Sequence, residues 1–231
     1  MKKTLEAAVQ SGQLQLTPAQ IGQLCQYGAM LLEKNRVMNL TAITEPEAVA
    51  QLHFLDCLAL LQLADFGGKK VIDIGCGAGF PGIPLLIAQP DLDLTLLDST
   101  AKRIGWLREE VLPALGLQAQ CVAARAEEYV SGCRETYAVA VSRAVARLPV
   151  LAELALPFVQ PGGVFLAMKG AAAQQEADEA ARAICLLGGT VEKIAESPLA
   201  DAVHRVVVIR KERATPQRYP RRFAQIRQSP L

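Results

Sequence analysis

At 231 residues, 51% hydrophobic and 20% charged, the chain fits one ordinary domain with a modest extension, and it carries too much apolar material for a disordered or fibrous protein. Twenty-four basic residues against 23 acidic ones leave a formal charge of +1, so the molecule as a whole offers no strong field to a polyanion and any nucleic-acid contact must come from local patches. Six scattered cysteines without a C-x-x-C pair, joined only by His53 and His204 as possible ligands, point to a reduced, cytoplasmic and metal-free protein.

Every long apolar stretch is interrupted by a charge, Asp56 within Phe54 to Leu63 and Arg143 within Val139 to Leu151. No membrane span is therefore expected, and the start, Met1-Lys2-Lys3-Thr4-Leu5-Glu6, lacks the apolar core of a signal peptide. From Arg205 to Leu231 eight basic residues face a single acid, Glu212, which leaves the remainder net acidic. With no heptad pattern, a monomer is expected.

In chain order, Thr17-Pro18-Ala19-Gln20 is a capping box with proline at the first helical position, and the apolar residues Ile21, Leu24, Cys25, Gly28, Leu31 and Leu32 follow at helical spacing. A helix over about 18–34 is predicted. After a polar loop at 35–43, Thr44-Glu45-Pro46-Glu47 reads as a second capping box for a helix carrying Val49, Leu52, Leu55, Leu58 and Leu61 to Leu63. Beyond Phe66-Gly67-Gly68, strands are predicted at 71–74, 92–97, 119–123, 138–142 and 164–169, separated by helices near 82–88, 101–115 and 148–158. That alternation predicts a parallel sheet covered on both faces. An Ala-rich helix at 174–187 then precedes two strands, 191–196 and 204–211, whose short connection favours an antiparallel last strand. The chain thus divides into an N-terminal helical extension (1–66), an α/β core (67–212) and a basic C-terminal tail (213–231).

The stretch from Val71 to Gly82 runs an apolar strand into a glycine loop and then a helix. Gly77-Ala78-Gly79-Phe80-Pro81-Gly82 satisfies the dinucleotide pattern G-x-G-x-x-G, whereas Asp73-Ile74-Gly75-Cys76-Gly77-Ala78-Gly79 satisfies the D-x-G-x-G-x-G pattern of S-adenosylmethionine (SAM) binders. Register favours the second: Gly75 already leaves the strand, Pro81 stands where the dinucleotide helix would begin, and Asp73 has a use only as an acceptor for a cationic or hydroxyl-bearing ligand. Asp98 ends the next strand, where a carboxylate can accept both ribose hydroxyls of an adenosine moiety, although NAD would use it equally.

Further motifs extend the match. Asn39-Leu40-Thr41-Ala42-Ile43, His53-Phe54-Leu55-Asp56, Asp73 to Ile83, Leu96-Leu97-Asp98-Ser99 with Lys102-Arg103, Val141-Ser142-Arg143-Ala144, Ala167-Met168-Lys169-Gly170 and Arg218-Tyr219-Pro220-Arg221 stand in this order. The sequence resembles the bacterial 16S rRNA guanine-N7 methyltransferase G family, formerly glucose-inhibited division protein B, from about Thr17 to the C-terminus. The resemblance implies a Rossmann-like SAM-dependent methyltransferase fold and transfer of a methyl group to N7 of a guanine in the 530 loop of 16S rRNA. The RNA would be presented in the small ribosomal subunit or an assembly intermediate. It also carries SAM contacts onto Gly75, Phe80, Ala126, Glu127 and Arg143, beside Asp73, Gly77, Gly79 and Asp98 from the loop and strand pattern. Cys76 and Thr100-Ala101 depart mildly from the family's usual residues.

Guanine N7 offers an in-plane lone pair and no proton, so positioning is expected to carry catalysis and no general base is required. The chain contains neither Pro-Pro nor Pro-Cys, which argues against amine and pyrimidine-C5 methylation. Asn39 and Arg143 are the candidates for orienting the reaction; Arg143 could donate to the base or to the SAM carboxylate, and the resemblance favours the cofactor contact. His53 and Asp56 read either as site residues or as groups that order the helical extension. Arg103, Arg125, Lys169, Arg218, Arg221 and Arg222 are the RNA-contact candidates, with Tyr219 able to stack, against the alternative of a solvated tail. A small-molecule SAM methyltransferase, a dinucleotide oxidoreductase and a non-catalytic SAM- or RNA-binding module stay open on the residues alone.

Overall fold

The computed structural model describes residues 1–196 and 204–231. Helices α1 (Lys2–Gln10), α2 (Pro18–Met38), α3 (Pro46–Val49) and α4 (Asp56–Leu58) come first, with a π-helical stretch, Ala50–Leu55, joining the last two. The chain then alternates: β1 (Lys70–Ile74), α5 (Gly82–Ala88), β2 (Asp93–Asp98), α6 (Ala101–Trp106), α7 (Leu112–Leu115), β3 (Gln120–Ala123), α8 (Ala126–Tyr129), β4 (Tyr137–Arg143), α9 (Leu148–Ala155) and β5 (Val159–Lys169). It closes with α10 (Ala173–Leu186), β6 (Gly189–Glu196), β7 (Arg205–Lys211) and α11 (Phe223–Gln228).

One seven-stranded sheet has the order β3-β2-β1-β4-β5-β7-β6. The first five strands run parallel, and β7 lies antiparallel to both β5 and β6. This order, with the last strand inserted and reversed, departs from the 3-2-1-4-5-6 parallel sheet of dinucleotide folds. Because strand side chains alternate, Val71, Leu94, Leu96, Val139 and Val141 face α2, α5 and α6, while Ile72, Ile74, Ala140, Phe165 and Ala167 face α9 and α10. Asp73 falls on the first face, a charge among aliphatic neighbours.

Three local outcomes differ from the sequence expectation. The second capping box does not form. Glu45, not Thr44, is the N-cap, without a side-chain bond, because Pro46 takes the first helical position it prefers and Glu47 is drawn to the Met1 ammonium at 3.1 Å. The first box does form, Thr17 with Gln20, but its helix runs to Met38 and ends on Asn39 in the left-handed region, φ 49°. Helices α1 and α11 were not expected. Each is short and leans on a tertiary partner, through Leu5 and Ile226, both fully buried.

The C-terminal segment is tied back onto the core. Arg134 donates to the carbonyls of Thr215, Pro216 and Tyr219 at 2.7–3.1 Å, and buried Lys211 donates to Leu156 O and Thr215 Oγ1. Arg221 forks onto the fully buried Glu153 of α9.

Candidate active site

The site grows from the carboxyl end of β1. Gly75 turns out of the strand at φ 70°, and its N–H and that of Cys76 both donate to Leu97 O, which fastens the loop to β2. Gly77 and Gly79 also have positive φ, 57° and 102°, so the turn needs residues without a Cβ penalty. A Cβ on Gly79 would lie 2.7 Å from Ile83 and 3.0 Å from the Tyr27 hydroxyl. That hydroxyl donates to Ala78 O, which ties the loop to α2.

Two carboxylates hold the loop. Asp98 accepts from Gly77 N at 3.0 Å and from Thr100 N at 2.7 Å, with Arg103 at 3.9 Å. Asp73 accepts from Gly82 N at 2.7 Å through one oxygen, while its other oxygen is buried without a hydrogen-bond partner. Burial pushes the Asp73 carboxyl up to about 7, against the pull of the Gly82 N–H and of Arg143. An unanswered buried acceptor of this kind costs free energy until a donor or cation arrives.

The helical extension supplies the other wall. Asn35 Oδ1 accepts from Leu40 N and Thr41 N, shaping the loop that brings Thr41 Oγ1 to 2.8 Å from His53 Nε2. The His53 ring lies 4.7 Å from the Phe80 ring, and the Arg143 guanidinium lies over the same ring at 4.7 Å. Burial and the Arg143 charge lower the His53 imidazole to about 4, so it is neutral at physiological pH. Arg143 also donates to Leu52 O at 3.2 Å and faces Asp56 at 4.0 Å. His204, just before β7, stands 3.1 Å from the same Asp56 oxygen.

Two adjoining cavities result. A smaller one, about 200 Å³, lies over the loop against Thr41, Gly75, Gly77, Phe80 and Arg103. A larger one, about 630 Å³, opens beyond the ends of β4 and β5 against Leu52, Asp56, Val145, Met168 and His204. His53, Arg143 and Ala144 line both. Val145 rests on Gly75, where any Cβ would meet it at 2.3 Å, and Ala144 takes a positive φ of 57° to put it there.

Gly75, Gly77, Phe80 and Arg143 thus converge on the smaller cavity, while Asp73, fully buried, and Gly79 line neither cavity. Asp98 pairs in register with Ala123, and Ala124 N donates to Asp98 O, so Ala126 and Glu127 at the start of α8 come off beside it. Asn39 is an exposed helix C-cap and lines neither cavity, whereas its neighbours Leu40 and Thr41 line the smaller one. Lys169 is buried against Glu176 at 2.9 Å, and Arg221 is committed to Glu153. Arg125 packs on Phe223 at 4.9 Å and Arg218 on Tyr219 at 5.1 Å, while Arg222 is exposed. The sequence suggests His204 only as a possible metal ligand and does not place it at this site, where it lines the larger cavity with Leu52, Val145 and Met168. Its place at the head of an inserted strand was the only signal, and that insertion becomes visible only in the sheet order.

The family model for rRNA small subunit methyltransferase G, GidB, matches residues 20–203. The chain belongs to this family. Ribosomal RNA small subunit methyltransferase G of Alkaliphilus oremlandii is 44% identical over 236 residues, covering 100% of this chain and 99% of the relative. The protein of the same name from Desulfitobacterium hafniense is 45% identical over 223 residues, with 94% and 92% covered. Among solved structures, the mitomycin 7-O-methyltransferase MmcR superposes with a TM-score of 0.56 at 18% identity, covering 80% of this chain and 60% of that one. TrmN from Thermus thermophilus gives 0.55 at 22%, covering 67% and 48%. These two likenesses concern the fold alone, and they agree with the methyltransferase architecture expected for the methyltransferase G family.

Proposed function

We propose that the protein uses SAM to methylate N7 of a guanine in the 530 loop of 16S rRNA, acting as a cytoplasmic monomer on the small ribosomal subunit or an assembly intermediate. The observation that carries the reading is the pair of joined cavities with Arg143 and His53 on their shared wall. One sits on a nucleoside-type glycine loop, and the other has room for a purine base. Family membership and the names of the relatives support the substrate.

The residues fit SAM. The unanswered buried oxygen of Asp73 suits an ammonium group, and Gly77, where a Cβ would meet nothing nearer than 4.0 Å, leaves room for close approach. Asp98 would hold the ribose, Ala126 and Glu127 the adenine, and Gly75, Gly79, Phe80 and Arg143 the amino-acid end. When bound, SAM supplies a methyl group made electrophilic by the adjoining sulfonium.

The chain's own part is orientation. Leu52, Val145 and Met168 give the larger cavity an apolar stretch of lining, and Arg143 is fixed by Leu52 O, Asp56 and the Phe80 face. His53 is neutral and a weak base near neutrality, and no base is required, because guanine N7 carries no proton. Alignment of the lone pair with the bond to be broken supplies the acceleration, worth about 7 to 11 kcal/mol in favourable cases.

The test incubates the protein with methyl-labelled SAM and small subunits from a strain lacking this gene, then identifies labelled nucleosides by mass. Labelled 7-methylguanosine is expected. SAM binding without RNA label would overturn the assignment in favour of a small-molecule methyltransferase or a binding module.

A further inference from the structure

A second groove adjoins the target cavity and has no part in the reaction assigned above. It lies between α9, α10 and α11, measures about 530 Å³, and is floored by Pro149, Val150, Phe223 and Pro230. Val145, Ala146 and Arg147 line both this groove and the larger cavity, so the two are continuous around one loop. The far wall is the C-terminal helix, which is no loose tail: the Arg134 clamp and the Arg221–Glu153 pair fix the chain leading into it.

The charge at this groove is one-sided. Arg222 precedes α11 and Arg227 lies in its last turn. Both are exposed, and neither belongs to an ion pair among the described residues. Arg125 adds a third guanidinium, stacked on Phe223. Against these stands Glu179, already held by Arg147. Of the three guanidiniums only Arg227 lines the groove itself; Arg125 adjoins it by stacking on Phe223 and Arg222 by preceding Phe223 in the chain. An apolar floor with guanidiniums beside it is the arrangement that single-stranded nucleic acid uses, bases stacking on the floor and phosphates meeting the cations. A protein partner would have no comparable need for unpaired cations beside a cavity that takes a base.

We propose that this groove holds the RNA nucleotides flanking the target base, with phosphates against Arg222, Arg227 and Arg125 and a base over Pro149, Val150 and Phe223. The proposal rests on the reading that the substrate is RNA, and it moves the RNA contact away from Lys169 and Arg221, whose charges are spent internally.

The test compares the Arg222→Ser/Arg227→Ser double variant with wild type and with Arg36→Ser, an exposed site on α2 outside the groove. Binding of a single-stranded rRNA fragment containing the target guanine is measured by fluorescence anisotropy across a salt series, alongside methylation of small subunits. With each single-strand phosphate contact contributing about 0.7 to the logarithmic salt slope, two lost contacts should lower the slope by about 1.4 and weaken binding by roughly 10- to 30-fold near physiological salt. The KM for subunits should rise in step, while kcat, SAM affinity and thermal midpoint stay unchanged and Arg36→Ser behaves as wild type. Unchanged fragment binding and KM would overturn the proposal. So would a raised KM for subunits with unaltered fragment binding, which would assign the groove to a ribosomal protein. If wild type methylates no RNA, the assigned reaction falls, and the fragment-binding comparison still decides the groove.

Discussion

Replacing Asp73 by asparagine tests the electrostatics at the centre of the site. A carboxyl whose folded value is raised from an ordinary 3.8 to about 7 binds more protons folded than unfolded between those two values. Its contribution to stability therefore declines as pH rises through that window, and the loss is complete above about 7. Between about pH 5 and pH 8 the wild type should lose about 2 to 3 kcal/mol that the Asp73→Asn variant does not, since each tenfold difference in proton affinity corresponds to about 1.4 kcal/mol. For a domain of this size that corresponds to about 5 to 10 °C in thermal midpoint. Urea unfolding followed through the single, buried Trp106 at a series of pH values reads the difference directly. The Asp73→Asn protein should gain on wild type as pH rises, while binding SAM more weakly because the buried acceptor has lost its charge. A stability gap that stays flat from acid to alkaline pH would refute the reasoning.

Three other expectations follow from the same geometry. Gly82→Ala places a Cβ 2.7 Å from Leu96 and 2.9 Å from the Asp73 oxygen, so it should cost about 1 to 3 kcal/mol in urea unfolding and impair SAM binding measured by calorimetry. An unchanged affinity would mean that Asp73 is not needed where it stands. His53, lowered to about 4, should show no ring-proton titration by NMR between about pH 5.5 and 8; a midpoint near 6.5 assigned to it would contradict the buried, Arg143-facing environment. Arg221→Met strands the fully buried Glu153 and should cost about 3 to 5 kcal/mol, partly recovered by adding Glu153→Gln, and a neutral single variant would show the pair to be dispensable.

What could be read from the sequence was what short-range chemistry fixes. Asp73 and the glycine turn after it lie within a few residues of each other, and the alternation from Val71 to Ile74 identifies a buried strand by itself. At Asn39 the sequence could not show the C-cap, because the residue type suits a substrate contact and a left-handed helix end equally, and only the backbone reveals the latter. For the tail arginines Arg218, Arg221 and Arg222 the sequence offered RNA contact or a solvated run and no internal partner, because Glu153, which neutralises Arg221, stands 68 residues earlier, and Arg134, which clamps the carbonyls, stands more than 80 residues earlier. His204 meets Asp56 only after β7 has entered the sheet. Helices α1 and α11 are too short to form on propensity, so their existence depends on contacts no local pattern contains.

The late insertion of β7 bears on how the chain is made. Until Arg205–Lys211 has been synthesised, β5 presents Val164 to Met168 as an unpaired and almost wholly buried-type edge, and β6 has no neighbour at all. A nascent or truncated chain that stops short of this strand would expose a long apolar template for edge-to-edge association. The last tenth of the polypeptide therefore sets the solubility of everything before it, and C-terminal deletions should collect in inclusion bodies rather than yield a smaller working enzyme.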